Sequence, residues 1–146
     1  MKDAQDYALL DFYVQYLRRH LADHHFDKYN NEKFISERAD SALDTYITNF
    51  LSGRAPHICQ ELAMRTLLEG LYFSRYDAVH EVIEEDCWTR LTPETWEPTA
   101  VHMARHREVR PVLDRHNVNG DYPDDRQALH DELLGTITEI LDGYEL

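Results

Sequence analysis

Apolar residues recur at three- and four-residue steps along several stretches of the chain, which is the spacing of one buried face of an α-helix. The pattern is clearest over residues 32–52 and is repeated over residues 4–22. Asn30 or Asn31 can cap the start of the helix over residues 32–52, and Gly53 can follow its end. The apolar positions that we expect the two helices to bury are Leu9, Leu10, Tyr13, Val14, Leu17, Leu21, Ile35, Ala39, Ala42, Leu43, Tyr46, Ile47, Phe50 and Leu51.

Prolines, glycines and capping residues divide the remaining chain into further helices. A third helix begins at Pro56 and stops at Gly70, and a fourth follows the S-x-x-D capping box of Ser74 and Asp77. We expect a broken helix over 93–106, because Pro98 lacks the N–H that a helix interior uses, and a short helix near 109–116. The positions expected to be buried in the third, fourth and last helices are Ile58, Cys59, Leu62, Ala63, Leu67, Tyr76, Val79, Ile83, Cys87, Leu129, Leu133, Ile137, Ile140 and Leu141.

The last helix, expected over residues 124–142, contains a glycine. Gly135 costs about 1 kcal/mol relative to alanine in a helix interior, and close approach of a neighbouring helix would explain it. No stretch of the sequence alternates apolar and polar residues with the period of a strand. We therefore predict an all-α protein in which residues 1–146 form a single domain, a compact array of six to seven short helices.

Acidic residues outnumber basic ones throughout the chain. The 28 Asp and Glu against 15 Lys and Arg give a net charge of −13, spread as −3 over residues 1–50, −5 over 51–100 and −5 over 101–146. This charge disfavours general affinity for nucleic acid and for anionic membrane surfaces. No apolar run approaches the ~20 residues of a membrane span. We expect a cytoplasmic protein with no membrane partner, in which Cys59 and Cys87 are reduced, buried thiols.

The nine histidines invite a search for a metal site. His102 and His106 have the i, i+4 spacing that can hold a metal, but the sequence supplies no third ligand beside them. Asp77, His80 and Glu84 share one helical edge, where Asp77 already serves the capping box and an ordinary His–Glu contact accounts for the rest. Neither group is therefore expected to bind a metal. The sequence has no P-loop, G-x-G-x-x-G, G-x-S-x-G or C-x-x-C motif, which favours a non-enzymatic protein without a cofactor.

One basic patch interrupts the acidic chain. Residues 102–116 have a local charge of +2, and their arginines are Arg105, Arg107, Arg110 and Arg115. Arginine suits carboxylates and phosphates, so the patch is a candidate surface for an anionic partner. The alternative is that the patch pairs with the protein's own acids, which is the commoner use of mixed surfaces and is the outcome we expect. The nearest acids in sequence are Asp121, Asp124 and Asp125.

Four stretches of the sequence together resemble a known family. They are residues 32–40, 68–77, 131–137 and 143–146. In this order and at this separation they are similar to a family of small, acidic Bacteroidetes proteins that is described only as a domain of unknown function and is often carried on conjugative transposons. The resemblance implies an all-helical fold, a cytoplasmic location and a mobile-element context. It implies no reaction, because none of the motifs is catalytic in form.

The residues that characterise these stretches have structural interpretations. Arg38 is expected to form a partly buried ion pair with a carboxylate of the capping box or the last helix, and Asp40 lies near it on the same helix. Gly70 and Ser74 are stop and start signals between two helices, and Gly135 is a packing position. A set of caps, glycines and one ion pair describes a fold and not an active site.

These observations favour a non-enzymatic accessory module of a mobile element that binds another protein through an apolar or aromatic helix surface. Two alternatives stay open. One is a nucleic-acid-related role, either as an acidic mimic of DNA or as a weak binder through the basic patch. The other is a metal-dependent hydrolase that uses the histidines and carboxylates named above. The aromatic residues at helix junctions, which are expected mostly to plug the core, are Tyr72, Phe73, Trp88 and Trp96.

Overall fold

The protein is all-α, as its periodicity predicts. A computed structural model describes residues 2–144, and these residues form seven α-helices, a single 3₁₀ turn at Asp27–Asn30 and no strand beyond an isolated bridge between Phe73 and Gly120. The helices are α1 (Ala4–Asp23), α2 (Glu32–Leu51), α3 (Pro56–Leu67), α4 (Arg75–Asp86), α5 (Pro93–Ala104), α6 (Arg110–Arg115) and α7 (Arg126–Tyr144). Within the described part of the chain, no helix combines the length and the apolarity needed to cross a bilayer.

The chain divides into two compact units, residues 1–71 and 72–146, and each unit has a core of its own. That the two units form a single domain remains a prediction. Glu145 and Leu146, which end the last stretch of the family resemblance, lie outside the described residues.

The first unit packs α1 and α3 against α2. Helix α1 begins at a capping box of Asp3 and Asp6, and the side chain of Asn31 caps α2, which settles the choice between Asn30 and Asn31. The buried core of this unit consists of Tyr13, Leu17, Leu21, Ile35, Ala39, Ala42, Leu43, Ala63, Leu67 and Leu71. The periodic positions predicted this core because one apolar stripe per helix faces the neighbouring helices.

The apolar stripe of α2 is covered only over part of its length. Phe50 and Leu51, which we expected to be buried, are 53% and 79% exposed. Both lie in the last turn of α2, beyond Tyr46 and Ile47, the last stripe residues that pack against the core. Periodicity identifies which face of a helix is apolar, but it does not say where along the helix the covering elements stop.

The second unit packs α5 and α7 against α4, with α6 against α7. Its core contains all the positions predicted from α4 and α7, together with residues of α5, α6 and the connecting loops. The buried residues are Phe73, Tyr76, Ala78, Val79, Val82, Ile83, Cys87, Ala100, Met103, Val109, Val112, Leu113, Val118, Leu129, Leu133, Ile137, Ile140 and Leu141.

Two expectations about helix interiors in this unit are wrong. Helix α5 runs unbroken through Pro98, an exposed residue. A proline in the interior removes one backbone hydrogen bond, but α5 stays continuous without that bond. Gly135 is exposed, and a Cβ built on it meets nothing within 4 Å, so no neighbouring helix approaches it. The packing explanation for this glycine fails.

The junctions hold aromatic residues of two kinds. Phe73 is buried and Trp96 is half-buried, whereas Tyr72 and Trp88 are exposed, contrary to expectation. The backbone N–H groups of Tyr72 and Phe73 both donate to the carbonyl oxygen of Gly120, at 2.7 and 2.8 Å. The two neighbouring residues are thus anchored at the same backbone group, with Phe73 in the core of the second unit and Tyr72 41% exposed.

The predicted capping box at the start of α4 is present, and Arg75 beside it forms hydrogen bonds to residues at and after the end of α6. The Ser74 side chain accepts from the Asp77 N–H, and the Asp77 side chain accepts from the Ser74 N–H. Arg75 donates through Nε to the Val118 carbonyl at 2.9 Å and through Nη2 to Asp114 at 2.6 Å. These bonds hold the segment after α6 against the start of α4.

Arg38 does not form the ion pair that we expected. Its Nη1 donates to the carbonyl oxygens of Leu67, at 3.2 Å, and Glu69, at 2.7 Å, so it satisfies backbone groups that the end of α3 leaves free. Its guanidinium also lies 4.9 Å from the centre of the Phe34 ring. Gly70 follows in the left-handed conformation at φ +74°, as a helix stop signal requires.

Candidate functional site

A row of aromatic and histidine rings runs along α1, with its first two rings exposed and the others half-buried. Phe12, Tyr16 and His20 are spaced four residues apart, and the chain after the helix adds His24 and Phe26. Ring centres are 6.0 Å apart for Phe12 and Tyr16, 6.5 Å for Tyr16 and His20, and 6.1 Å for His20 and Phe26. We call these five residues the aromatic row. Its first two rings are 44% and 41% exposed.

The row is held in place by the buried face of the same helix. Tyr13 and Leu17 are fully buried, and the Tyr13 hydroxyl donates to Oε1 of Gln60 at 2.7 Å. Burial is the main reason that the pKa of Tyr13 is raised well above its ordinary value, so this hydroxyl stays a donor. His20 Nε2 lies 2.7 Å from the carbonyl oxygen of Leu71, and because a carbonyl only accepts, that nitrogen carries the proton. Both contacts fix the rotation of α1 and with it the direction of the row.

The aromatic row consists of ring surfaces of the kind that protein interfaces contain. Tyrosine and phenylalanine are among the residues that protein interfaces favour, because their rings offer a large contact area with little loss of side-chain freedom. The sequence identified the apolar stripe of α1 but missed the row beside it. The four-residue spacing of Phe12, Tyr16 and His20 was the available signal.

The basic patch is only partly compensated by the protein's own acids. Arg115 pairs with Glu132 at 2.7 Å, and Asp114 is taken by Arg75. The other three arginines of the patch are exposed and form no ion pair with any residue in the range 2–144. They are Arg105, Arg107 and Arg110. The internal pairing that we expected therefore holds for one arginine of four, and its partner is not among the acids nearest in sequence.

The histidine groups found in the sequence do not form converging ligand sets. His80 Nδ1 lies 3.6 Å from Glu84, the i, i+4 contact that we expected, while Asp77 serves the capping box. The rings of His102 and His106 are 6.1 Å apart, and Nδ1 of His106 accepts from the backbone N–H of Glu108 at 3.1 Å. The described residues place no third ligand beside either group.

A different group of ligand atoms does converge, and sequence reasoning missed it. Glu85 and Asp86 in the last turn of α4 meet His130 of α7, and one ligand atom from each lies within 4.8 Å of the other two. His130 Nε2 is 2.5 Å from Asp86 Oδ2 and 3.8 Å from Glu85 Oε2. Asp86 and His130 are 44 positions apart in the sequence, so no local sequence pattern indicates that their side chains meet.

The family to which this helical chain belongs can be named. Residues 5–146 match the family described as a domain of unknown function, DUF1896, and the chain belongs to that family. It is similar to a solved structure, protein PG0816 from Porphyromonas gingivalis, with 26% sequence identity and a TM-score of 0.85. The similarity covers 99% of this chain and 98% of that one. No curated protein gives a significant match. The family resemblance drawn from the sequence is thereby confirmed.

Proposed function

We propose that this protein is a non-enzymatic protein-binding module that serves a mobile genetic element. It docks an amphipathic helix of a partner protein on the aromatic row. The observation that carries the proposal is the exposure of Phe12 and Tyr16 at the head of a continuous series of ring contacts. Exposed aromatic side chains in contiguous groups mark interaction surfaces, whereas isolated ones do not.

The length of the row supports a helical partner. From Phe12 to His20 the helix rises by about 12 Å, or a little over two turns. A partner helix that presents apolar side chains at i, i+3 or i+4, and i+7 spans the same distance. The exposed polar residues that flank the row on α1, Gln15 and Arg19, provide a polar rim of the kind that surrounds interface centres.

Site-specific photo-crosslinking tests this proposal. Benzoylphenylalanine placed at position 12 or 16, in cells of the native host, is expected to give an adduct with one discrete partner. The control carries the same probe at Phe50, which is comparably exposed but lies off the row. The partner is identified by mass spectrometry, and a mobile-element role predicts that the same element encodes it. Adducts of equal yield from position 50, no adduct from the row, or an adduct of two copies of this chain would each contradict the proposal.

A second candidate is a nucleic-acid-binding role through the basic patch. It is favoured by one observation, namely that Arg105, Arg107 and Arg110 are exposed without an ion pair in residues 2–144. Retention on DNA at low salt is expected to disappear in the double variant Arg107→Glu and Arg110→Glu. Arg54→Glu with Arg65→Glu is the matched control, because it makes the same change of net charge at exposed arginines of the first unit. Equal loss of DNA retention in both variants would mean that net charge alone, and not the basic patch, accounts for the retention.

A further inference from the structure

The last turn of α4 and the first half of α7 present three side chains of the kind that bind transition metals. Glu85 and Asp86 contribute carboxylate oxygens and His130 contributes Nε2. We propose that these three residues form a binding site for a zinc ion, with water in the remaining coordination positions. The site is independent of the aromatic row and joins two helices of the second unit.

The ligand types and distances fit zinc with small adjustments. Zinc binds imidazole nitrogen and carboxylate oxygen at about 2.0–2.2 Å in tetrahedral sites, which places neighbouring ligand atoms about 3.4 Å apart. Here the two distances from His130 Nε2 are 2.5 Å to Asp86 and 3.8 Å to Glu85. For an ion to lie between the three atoms, the first distance has to open by about 1 Å and the second has to close by less.

The position of the two carboxylates at the end of α4 favours a cation at this point. Glu85 and Asp86 end α4, where the partial negative charge of the helix dipole adds to their own charge. The nearest arginine along α7 is committed elsewhere, because Arg126 donates to Glu81 at 2.7 Å and stacks on Tyr122 at 4.5 Å from its ring centre. It therefore does not neutralise the two carboxylates.

The exposure of the three ligands also suits a metal site with open positions. The His130 side chain is only 14% exposed and is therefore held in place, while the two carboxylates are 59% and 41% exposed. A zinc ion here would meet a fixed imidazole, two adjustable carboxylates and solvent. The other histidine–carboxylate contacts within residues 2–144 differ from this one: His80 contacts a single carboxylate, that of Glu84, and the Glu132 oxygen beside His116 also binds Arg115.

Zinc titration by isothermal calorimetry on untagged, chelator-treated protein tests the proposal. We expect saturable binding of one zinc ion per chain, accompanied by a rise in melting temperature because the ion links α4 to α7. His130→Gln and Asp86→Asn are each expected to weaken binding by at least about tenfold, since even the loss of an outer hydrogen-bond partner of a zinc ligand costs that much. His80→Gln, and His102→Gln combined with His106→Gln, are expected to bind zinc as the wild type does.

Three results would overturn the zinc site. Absence of saturable binding up to millimolar zinc would mean that His130 and Asp86 form an ion pair only. Unchanged binding in His130→Gln, with loss in the His102/His106 variant, would move zinc to that histidine pair. The third readout uses the wild-type chain and is unaffected by any folding defect of the variants: in ¹⁵N NMR spectra of the imidazole groups, zinc must shift Nε2 of His130, and shifts confined to other histidines would contradict the proposal.

Discussion

Gly135 and Gly70 are both free of steric neighbours, yet they should respond in opposite ways to the same substitution. A Cβ added at either residue meets nothing within 4 Å. Gly135 lies inside α7 with ordinary helical geometry, whereas Gly70 has a φ of +74°, which side chains of L-residues rarely adopt. The difference between the two positions is therefore one of backbone conformation alone.

Alanine substitution is expected to have opposite effects on stability at these two glycines. Gly135→Ala is expected to raise the free energy of unfolding by about 0.5–1 kcal/mol, because alanine reduces the freedom of the unfolded chain and favours the helix. Gly70→Ala is expected to lower it by about 1 kcal/mol or more, because alanine is strained at positive φ. Urea denaturation followed by circular dichroism measures both. A destabilised Gly135→Ala variant would revive the idea that this glycine admits a close neighbour.

At the scale of the helices, Arg38 links the end of α3 to α2. Its substitution by methionine keeps an aliphatic chain over Phe34 but removes the bonds to the carbonyls of Leu67 and Glu69. We expect a loss of about 1–2 kcal/mol in the free energy of unfolding, since charged donors contribute more than neutral ones. Arg65→Met is the control, because Arg65 is an exposed arginine of α3. Equal losses in the two variants would mean that Arg38 acts through its general charge and not through the helix end.

The Arg18–Glu32 pair links α1 to α2 in a pH-dependent way. Arg18 holds the pKa of Glu32 below its ordinary value, mainly through a hydrogen bond between the side chains. A carboxyl whose folded-state pKa is lowered stabilises the protein above its unfolded pKa, and this stabilisation is lost as the pH falls through the folded pKa.

Melting temperatures between pH 6 and pH 3 test this link. Glu32→Gln is expected to lower the melting temperature at the upper end of the range, and the difference from the wild type is expected to shrink as the pH falls through the lowered pKa of Glu32 and the wild-type carboxyl becomes protonated. Glu37→Gln is the matched control: both side chains are 68% exposed, but Glu37 is 4.0 Å from Lys33, at the limit of an ion pair. The same pH profile in both variants would contradict the assignment.

The helices were predictable from the sequence because their signals are local. The first two helices differ from prediction by one residue at their C-terminal ends. They are α1, Ala4–Asp23, and α2, Glu32–Leu51. Features that depend on which helices pack together were not predictable. The meeting of Asp86 with His130 requires α4 to lie against α7, and the role of Arg38 requires knowing where α3 ends in space.

At the scale of the whole molecule, the chain passes from one core to the next without a linker. Leu71 is buried in the first unit and Phe73 in the second, so one residue, Tyr72, separates the two cores in sequence. Each unit has about 70 residues, a size at which one core rarely supplies more than about 3–5 kcal/mol. Each unit alone would be only marginally stable, and the single-domain prediction from the length of the chain is that neither unit stays folded once the other has unfolded.

The two cysteines report on the two units separately. Cys59 is fully buried in the first unit and Cys87 is buried in the second, where desolvation is the main reason that the pKa of its thiol is raised. Buried thiols of this kind react slowly with alkylating reagents until the surrounding core opens. Brief maleimide pulses across a urea series, read by mass spectrometry of the peptide around each cysteine, follow both units in the unmodified chain.

One common urea midpoint for both thiols, equal to the midpoint from circular dichroism, is the expected result. It would mean that the two cores open in one cooperative step. Separate midpoints would contradict the single-domain prediction and would identify the less stable unit by the cysteine that reacts first. Early labelling of Cys59 would locate the instability in the unit that carries the aromatic row, and early labelling of Cys87 in the unit that carries the proposed zinc site. In the second case, adding zinc should bring the two midpoints together, because only the folded second unit joins Glu85 and Asp86 to His130.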